Sequence, residues 1–172
     1  REEVRNHAVI SLQRSFILAE ELCFTPANCI YCFNSLIFAM VDDIHEKMLE
    51  YSRRENAERE TRSMEGSLKR AMEVLVEVYS QLLKPISESP HFRPFWMGLL
   101  RRMDTCMKVD LGGYGKSDMQ EVIPDLLKRI ISIMKENELL IPKEGDDLWE
   151  ITYVQIQWIA PSLKDELFPG AP

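Results

Sequence analysis

Apolar residues recur every three or four positions along most of the chain, which is the period of an amphipathic α-helix. The first stripe predicts a helix from Val4 to Leu22. Thr25-Pro26 then begins a second helix that extends to Met48, because threonine can cap a helix and proline fits its first position. The mixed charges of residues 51–62 predict either a solvated extension of this helix or a loop.

Two further stripes follow, each with its own start and stop signals. Ser63 can cap the third helix, and we expect Pro85 to end it, because proline lacks the N–H that a helix interior requires. Ser89-Pro90 opens the fourth helix, which extends to Met107. Three glycines within residues 110–115 then break the helical pattern.

The last third of the chain predicts two more helices. Ser117 can cap the fifth, whose apolar residues cover so much of its circumference that we expect it to be the most buried helix, with a loosened turn at Pro124. Asp146 or Asp147 can cap the sixth. Residues 151–159 also fit an alternating strand, but the capping aspartates and the helical context favour a helix.

Together these elements predict an all-α fold of about six helices, stacked as antiparallel hairpins in the manner of a HEAT or armadillo solenoid segment. Two helices with their turns occupy roughly 45–55 residues, near the period of such repeats. We expect one domain over residues 1–169, ending with the turn Ala160-Pro161-Ser162 and a last apolar segment, and a tail over residues 170–172. A solenoid segment would leave apolar surface at its N-terminal side.

Charge and composition limit the classes of partner. Lys and Arg number 21 against 28 Asp and Glu, and the net charge of −7 disfavours contact with nucleic-acid phosphates. No apolar run approaches the roughly 20 residues that a membrane-spanning helix needs, so we expect peripheral membrane contact at most. The chain begins at Arg1 without a signal peptide, which indicates a piece of a longer polypeptide, and its few cysteines fit the cytosol.

The loop that ends in Gly115-Lys116-Ser117 invites comparison with the phosphate-binding loop GxxxxGK[ST]. That pattern requires glycine at position 110, where this chain has Asp110, and it requires a preceding strand. An aspartate at that position would also repel phosphate. We therefore expect an inter-helix turn with Ser117 as a helix cap, and no nucleotide cofactor.

Cysteine spacing offers half of a zinc site. Cys29 and Cys32 are spaced as zinc ligands are, but they lie on a predicted helix, and only Cys23 and Cys106 could complete the four ligands. We therefore expect small thiols packed in the core, and no metal cofactor.

Asp42, His45 and Glu46 share a helix face and contain the acid–histidine spacing of a di-metal carboxylate site. Such a site needs a second acid–histidine motif on another helix; His7 and His91 follow asparagine and proline, and we expect neither to supply it. A solvated polar face is the favoured interpretation. No pattern indicates a catalytic nucleophile, so we expect no catalytic, cofactor-binding or metal-binding residue.

Methionines and tryptophans complete the list of candidates. Methionine at helical spacing is more often core filler than part of an adaptable binding groove. The residues concerned are Met64, Met72, Met97, Met103, Met107, Met119 and Met134. Trp96, Trp149 and Trp158 are likewise expected in the core, although a partly exposed tryptophan is what an interface would use.

Several segments, in order, are similar to segments of one known family. They are VRNHAVISLQR at 4–14, SMEGSL at 63–68, Trp96 with RMDTCMKV at 102–109, KSDMQEVIPDLLK at 116–128, and DLWEIT, IAPSL and ELFP within 146–169. Their order and spacing resemble the C-terminal helical region of large ARF guanine-nucleotide exchange factors of the GNOM and Golgi brefeldin-A-resistance type. The GKSD loop and the last segment look most similar to plant members of the GNOM type.

The resemblance implies a parent that loads ARF GTPases with GTP at Golgi or endosomal membranes and so drives vesicle coat recruitment. It also implies that exchange is catalysed upstream, in the Sec-seven domain, so no catalytic residue carries over. This chain would be a cytoplasmic, non-catalytic scaffold or regulatory module that supports membrane recruitment, autoregulation or partner docking. Its partners would be other helical domains of the same polypeptide, an ARF-family GTPase through the parent, and a membrane-bound GTPase or coat protein; the parent could form a homodimer.

Two other functions stay open on the sequence. A self-standing helical adaptor could bind a peptide or a small GTPase in a concave face, and a stable isolated fragment with a saturable partner would favour it. An enzyme is the third and least favoured function, because no arrangement of residues indicates a reaction.

Overall fold

The computed structural model describes residues 2–21 and 25–172, of which residues 15–21 are described through their backbone alone. Within this part of the chain the prediction of an all-α fold is confirmed, and no strand occurs there. The α-helices are α1 (Glu2–Glu21), α2 (Pro26–Cys32), α3 (Ala39–Ser52), α4 (Glu58–Ser87), α5 (Phe92–Met107), α6 (Met119–Glu136), α7 (Leu148–Ile159) and α8 (Pro161–Leu167). A π-helical segment, Phe33–Phe38, joins α2 to α3, and a 3₁₀ turn covers Gly112–Tyr114.

Internal contacts divide the chain into two compact units. The first comprises Arg1–Phe92 and Asp110–Asp118, and the second comprises Arg93–Val109 and Met119–Pro172. The expectation of one domain over residues 1–169 stays a prediction.

In the first unit, α3 and α4 form a helical hairpin, and α1 and α2 also pack against α4. The expected start of the third predicted helix at Ser63 is wrong, because α4 begins at Glu58. Two glutamates in its first turn stabilise this start through their interaction with the positive end of the helix dipole. Residues 51–62 are therefore divided among the end of α3, a short turn and the start of α4. Pro85 does not end the helix. It lies in the last turn of α4, which continues to Ser87.

The expected second helix is interrupted by the π-helical segment, which apolar spacing did not reveal. Thr25 caps α2 as predicted, since its hydroxyl oxygen accepts the Asn28 N–H at 3.2 Å and Pro26 occupies the first turn. In the π-helical segment Phe33 and Phe38 are both buried, and their ring centroids lie 5.1 Å apart. A π turn holds one residue more than an α turn, and this places residues five apart on one face.

In the second unit, α8 packs against both α6 and α7. The preference for a helix over a strand at α7 is confirmed, and Asp146 accepts the Leu148 N–H at 3.0 Å as a capping residue does. Asp147 occupies the cap position itself, but its carboxylate forms an ion pair with Arg93 at 2.7 Å. The expected turn at Ala160-Pro161-Ser162 is corrected to the start of α8, because proline fits the first turn of a helix.

Among the fully described helices, α6 does not have the greatest buried share, because α4 and α5 each bury half of their residues. Half of α4 is buried, 15 of 30 residues, against 7 of 18 in α6. The expectation for α6 is therefore wrong, and the reason is that α1, α2 and α3 all pack on α4. α6 does continue through Pro124 to Glu136.

Candidate functional site

The loop that resembles a phosphate-binding loop is held by a carboxylate of α4. Glu65, 4% exposed, accepts the Ser117 hydroxyl proton at 2.6 Å and the Asp118 N–H at 3.0 Å through the same oxygen. Two donors of the loop therefore already bind a fixed negative charge, which would repel a phosphate. Ser117, expected as a helix cap, lies two residues before α6 and makes this contact to Glu65.

Arg62 and Tyr114 connect the same loop to α4 and to the turn before it. The Arg62 guanidinium donates to the carbonyls of Tyr114 at 2.6 Å and Lys116 at 3.0 Å, and to Glu65 at 3.0 Å. The Tyr114 hydroxyl accepts the Ala57 N–H at 2.9 Å and donates to the Arg54 carbonyl. Together with the Glu65 contacts, these hydrogen bonds hold the loop against α4 and the turn before it. We call this set of contacts the clamp.

The cysteines show the features of core thiols more than those of ligands. Cys29 and Cys106 are 3% and 1% exposed, and Cys32 is half-buried. Cys23 lies outside the described residues. Across residues 2–14 and 25–172, no three His, Cys, Asp or Glu side chains come close enough together to hold a metal ion.

Asp42, His45 and Glu46 lie on α3 as expected, with both acids exposed and the histidine half-buried. Burial lowers the pKa of His45 below its usual 6.5, and the nearby Asp42 carboxylate raises it by less. The imidazole is therefore neutral near pH 7, which is the form that a ligand or a packed side chain has.

The remaining histidines are exposed. His7 lies on α1, with no acid three residues before it. His91 does have Glu88 three residues before it, a spacing that the sequence interpretation passed over, but this pair falls in the turn between α4 and α5. Neither arrangement gives the two facing helices that a di-metal carboxylate site requires.

Methionine and the first tryptophan are core residues. Met64, Met72, Met103, Met119 and Met134 are buried, and Met97 and Met107 are half-buried. Trp96 is fully buried and donates its indole N–H to the Thr152 hydroxyl at 2.9 Å. Such a partner is what a buried tryptophan requires.

Trp158 is the exception, and it marks the candidate site. It is 73% exposed, Val154 one turn before it is 37% exposed, and we call these two residues the α7 patch. In a helix the spacing of four places them on one face, and Ile156 between them is fully buried on another. Trp149 is half-buried. The expectation of a core role is therefore wrong for Trp158.

The first unit also exposes large apolar side chains. They are Val4 on α1, Tyr31 on α2 and Leu36 in the π-helical segment, with exposed fractions of 66%, 71% and 47%. These residues belong to the N-terminal helices, where the sequence predicted uncovered apolar surface. None of the helices in the described part of the chain has the length and apolar content to span a bilayer.

The fold and the patch define a class: an all-α helical-repeat region with an exposed tryptophan. The chain belongs to the family described as GBF1-like, tetratrico peptide repeat region, which matches residues 1–163. It is 64% identical over 170 residues to the ARF guanine-nucleotide exchange factor GNL2 of Arabidopsis thaliana, and 37% identical over 172 residues to GNOM of the same organism. The resemblance drawn from the sequence is thereby confirmed.

The similarity covers nearly all of this chain and a small part of each relative. The matches to GNL2 and GNOM include 98% of this chain, but only 12% and 11% of those proteins. A third relative, the Golgi-specific brefeldin A-resistance guanine nucleotide exchange factor 1 homolog of Caenorhabditis elegans, is 23% identical over the whole chain and 8% of its own length. No solved structure matches the chain.

Proposed function

We propose that this chain is a non-catalytic scaffold or regulatory module of an ARF guanine-nucleotide exchange factor. In Golgi or endosomal vesicle trafficking it would support membrane recruitment, autoregulation or partner docking. The observation that carries the proposal is the α7 patch, in which Trp158 is 73% exposed. The names of the relatives support the assignment of the parent's activity.

The physical argument concerns the two sides of α7. One side packs against α8 and into the core, and the other presents Val154 and Trp158 to solvent. A helix that is apolar on opposite sides is stabilised when both sides are covered. Tryptophan is also among the residues that contribute most binding energy at protein interfaces. A protein partner therefore fits this surface, and the net charge of −7 argues against nucleic acid.

Candidate partners follow from the resemblance. They are other helical domains of the same polypeptide, or a membrane-bound GTPase or coat protein, with an ARF-family GTPase bound through the parent. The site of action would be cytoplasmic, at the periphery of Golgi or endosomal membranes. The parent could act as a homodimer.

The first experiment compares the full parent with a parent truncated before Arg1. Nucleotide exchange would be measured on lipid-anchored ARF bound to liposomes and on soluble ARF. A loss confined to liposomes supports docking or orientation at the membrane. Two unchanged rates would instead indicate a stability cap or a site for a partner absent from the assay.

A second experiment tests the patch itself in the full parent. Trp158→Ser removes the exposed ring, and Gln157→Ser changes the exposed neighbouring residue without removing apolar surface. We expect only Trp158→Ser to reproduce the effect of truncation. Exchange activity intrinsic to the isolated 172-residue chain would contradict a non-catalytic role.

A further inference from the structure

Three aromatic rings of the second unit, Trp149, Tyr153 and Phe168, form a cluster. The Trp149 and Tyr153 centroids are 5.0 Å apart, and Phe168 lies 6.2 Å and 6.3 Å from them. The Lys135 ammonium lies 5.1 Å from the Phe168 centroid, and the Lys164 ammonium lies 5.8 Å from that of Tyr153. Two of the three rings therefore already contact a cation, which the negative face of an aromatic ring attracts.

The third ring, Trp149, lines a groove beside the first two turns of α7. The turn at residues 142–146, Tyr153 and Pro172 form its other walls, and its volume is about 460 Å³. Pockets that bind ligands usually measure roughly 300–1,000 Å³. Tryptophan is the aromatic side chain that attracts cations most strongly.

Carboxylates give this groove its charge. Among the residues that the structure describes, Glu144, Asp146 and Glu150 line it, together with the basic residue Lys143. The Asp146 carboxylate is held in place because it accepts the Leu148 N–H at 3.0 Å. The positive end of the α7 dipole, equivalent to about half a charge, does not offset this excess of negative charge.

We propose that this groove binds an arginine side chain carried by a segment of a partner protein. The planar guanidinium would stack on Trp149 while its N–H groups donate to Glu150 and Glu144, an arrangement that suits arginine better than lysine. The remaining volume accommodates the residues on either side of the arginine. Trp149 precedes Trp158 by nine residues, about 13 Å along a helix axis, so the groove and the α7 patch are separate sites.

The test is a titration of the 172-residue chain with the peptide acetyl-Gly-Arg-Gly-amide, followed by NMR at the tryptophan indole N–H groups. The control peptide carries citrulline, which has nearly the shape of arginine and no charge. We expect a saturable shift at Trp149, with Trp96 and Trp158 unmoved, and affinity at least about tenfold lower for the citrulline peptide.

Matched variants locate the binding site. Glu150→Gln should weaken binding about two- to fivefold, since it removes one exposed charge contact. Glu136→Gln removes a charge that is also exposed, at the end of α6, and should leave the affinity unchanged. Trp149→Phe, read at the Tyr153 signals, should weaken binding about two- to fivefold. Unfolding curves of each variant would show that the fold is retained.

Three outcomes would overturn the proposal. They are a Trp149 signal that does not move, an equal response to the citrulline peptide, or binding that neither Glu150→Gln nor Trp149→Phe weakens. The exchange assays on Trp158→Ser report on the α7 patch and use none of these signals. Failure of the proposed function and failure of the arginine site are therefore distinguishable.

Discussion

Glu65 accepts the Ser117 hydroxyl proton at 2.6 Å across 52 residues of sequence, and the contact is buried. The same carboxylate oxygen accepts the Asp118 N–H, and Arg62 pairs with the other. A buried carboxylate is tolerated because several donors compensate its loss of hydration. This contact holds the loop of residues 110–118 against α4 in the first unit.

Replacing Glu65 should destabilise the fold. Glu65→Ala removes a carboxylate that accepts hydrogen bonds from the Ser117 hydroxyl, the Asp118 N–H and the Arg62 guanidinium, so we expect the free energy of unfolding to fall by about 2–3 kcal/mol. Urea unfolding followed by circular dichroism measures this change. Glu60→Ala, at an exposed position one turn earlier, should cost no more than about 0.5 kcal/mol. Equal losses in both variants would show that the clamp adds little.

The Trp96–Thr152 hydrogen bond gives a second prediction. Thr152→Val keeps the shape of the side chain but removes the acceptor of the indole N–H, and we expect a loss of about 1–3 kcal/mol in unfolding free energy. The exposed Thr105→Val should change it by less than about 0.5 kcal/mol.

A double-mutant cycle isolates this contact. Combined with Trp96→Phe, which also removes ring volume, Thr152→Val should cost less than it does alone, with a coupling energy of about 1 kcal/mol. Strictly additive losses would mean that the two groups are not coupled.

Apolar periodicity was sufficient to predict the helices because each one buries a continuous face. It could not reveal the π-helical segment, since Ile30, Phe33 and Ile37 fit an uninterrupted α-helix equally well. Only the burial of Phe38 beside Phe33 distinguishes the two, and that burial depends on packing against α4. The start of α4 was misplaced because Ser63 has the chemistry of a cap, yet its hydroxyl accepts a hydrogen bond from Arg5 of α1 at 2.7 Å.

The candidate site was harder to predict than the fold. Trp158 lies in a helix that is apolar on most sides, and sequence alone does not say which side α8 covers, because Pro161 fits a turn as well as the first position of a helix. Glu65 looks like one more charged residue on an amphipathic helix. Its burial comes from a loop more than 40 residues away in the chain, which no local pattern encodes.

His45 should make stability depend on pH. Its pKa is lowered in the folded state by burial, while the unfolded chain keeps the usual 6.5, so just below pH 6.5 the unfolded state binds the proton more readily. The free energy of unfolding should therefore fall as pH drops below 6.5, until the folded histidine also becomes protonated.

Urea unfolding at a series of pH values checks this prediction. His45→Gln should flatten that part of the profile. An unaltered slope in His45→Gln would assign the pH dependence to other groups.

Deleting Asn34 tests what the π-helical segment does. The segment holds one extra residue, so removing the exposed Asn34 should convert it to α-helix and place Phe33 and Phe38 four apart, with both flanking helices keeping their buried faces. We expect a loss of no more than about 2 kcal/mol in unfolding free energy, within the usual range for a single change.

Deleting the exposed Lys69 from the uninterrupted α4 is the matched control. It rotates the rest of the helix by roughly 100° relative to its start, because each residue advances an α-helix by 1/3.6 of a turn. The buried residues that follow, such as Met72 and Leu75, would then leave the core. We expect circular dichroism to show native helicity for the Asn34 deletion and a largely unfolded first unit for the Lys69 deletion. Unfolding in both would mean that the π-helical segment is needed for packing on α4, and that the flanking helices cannot absorb the change in register.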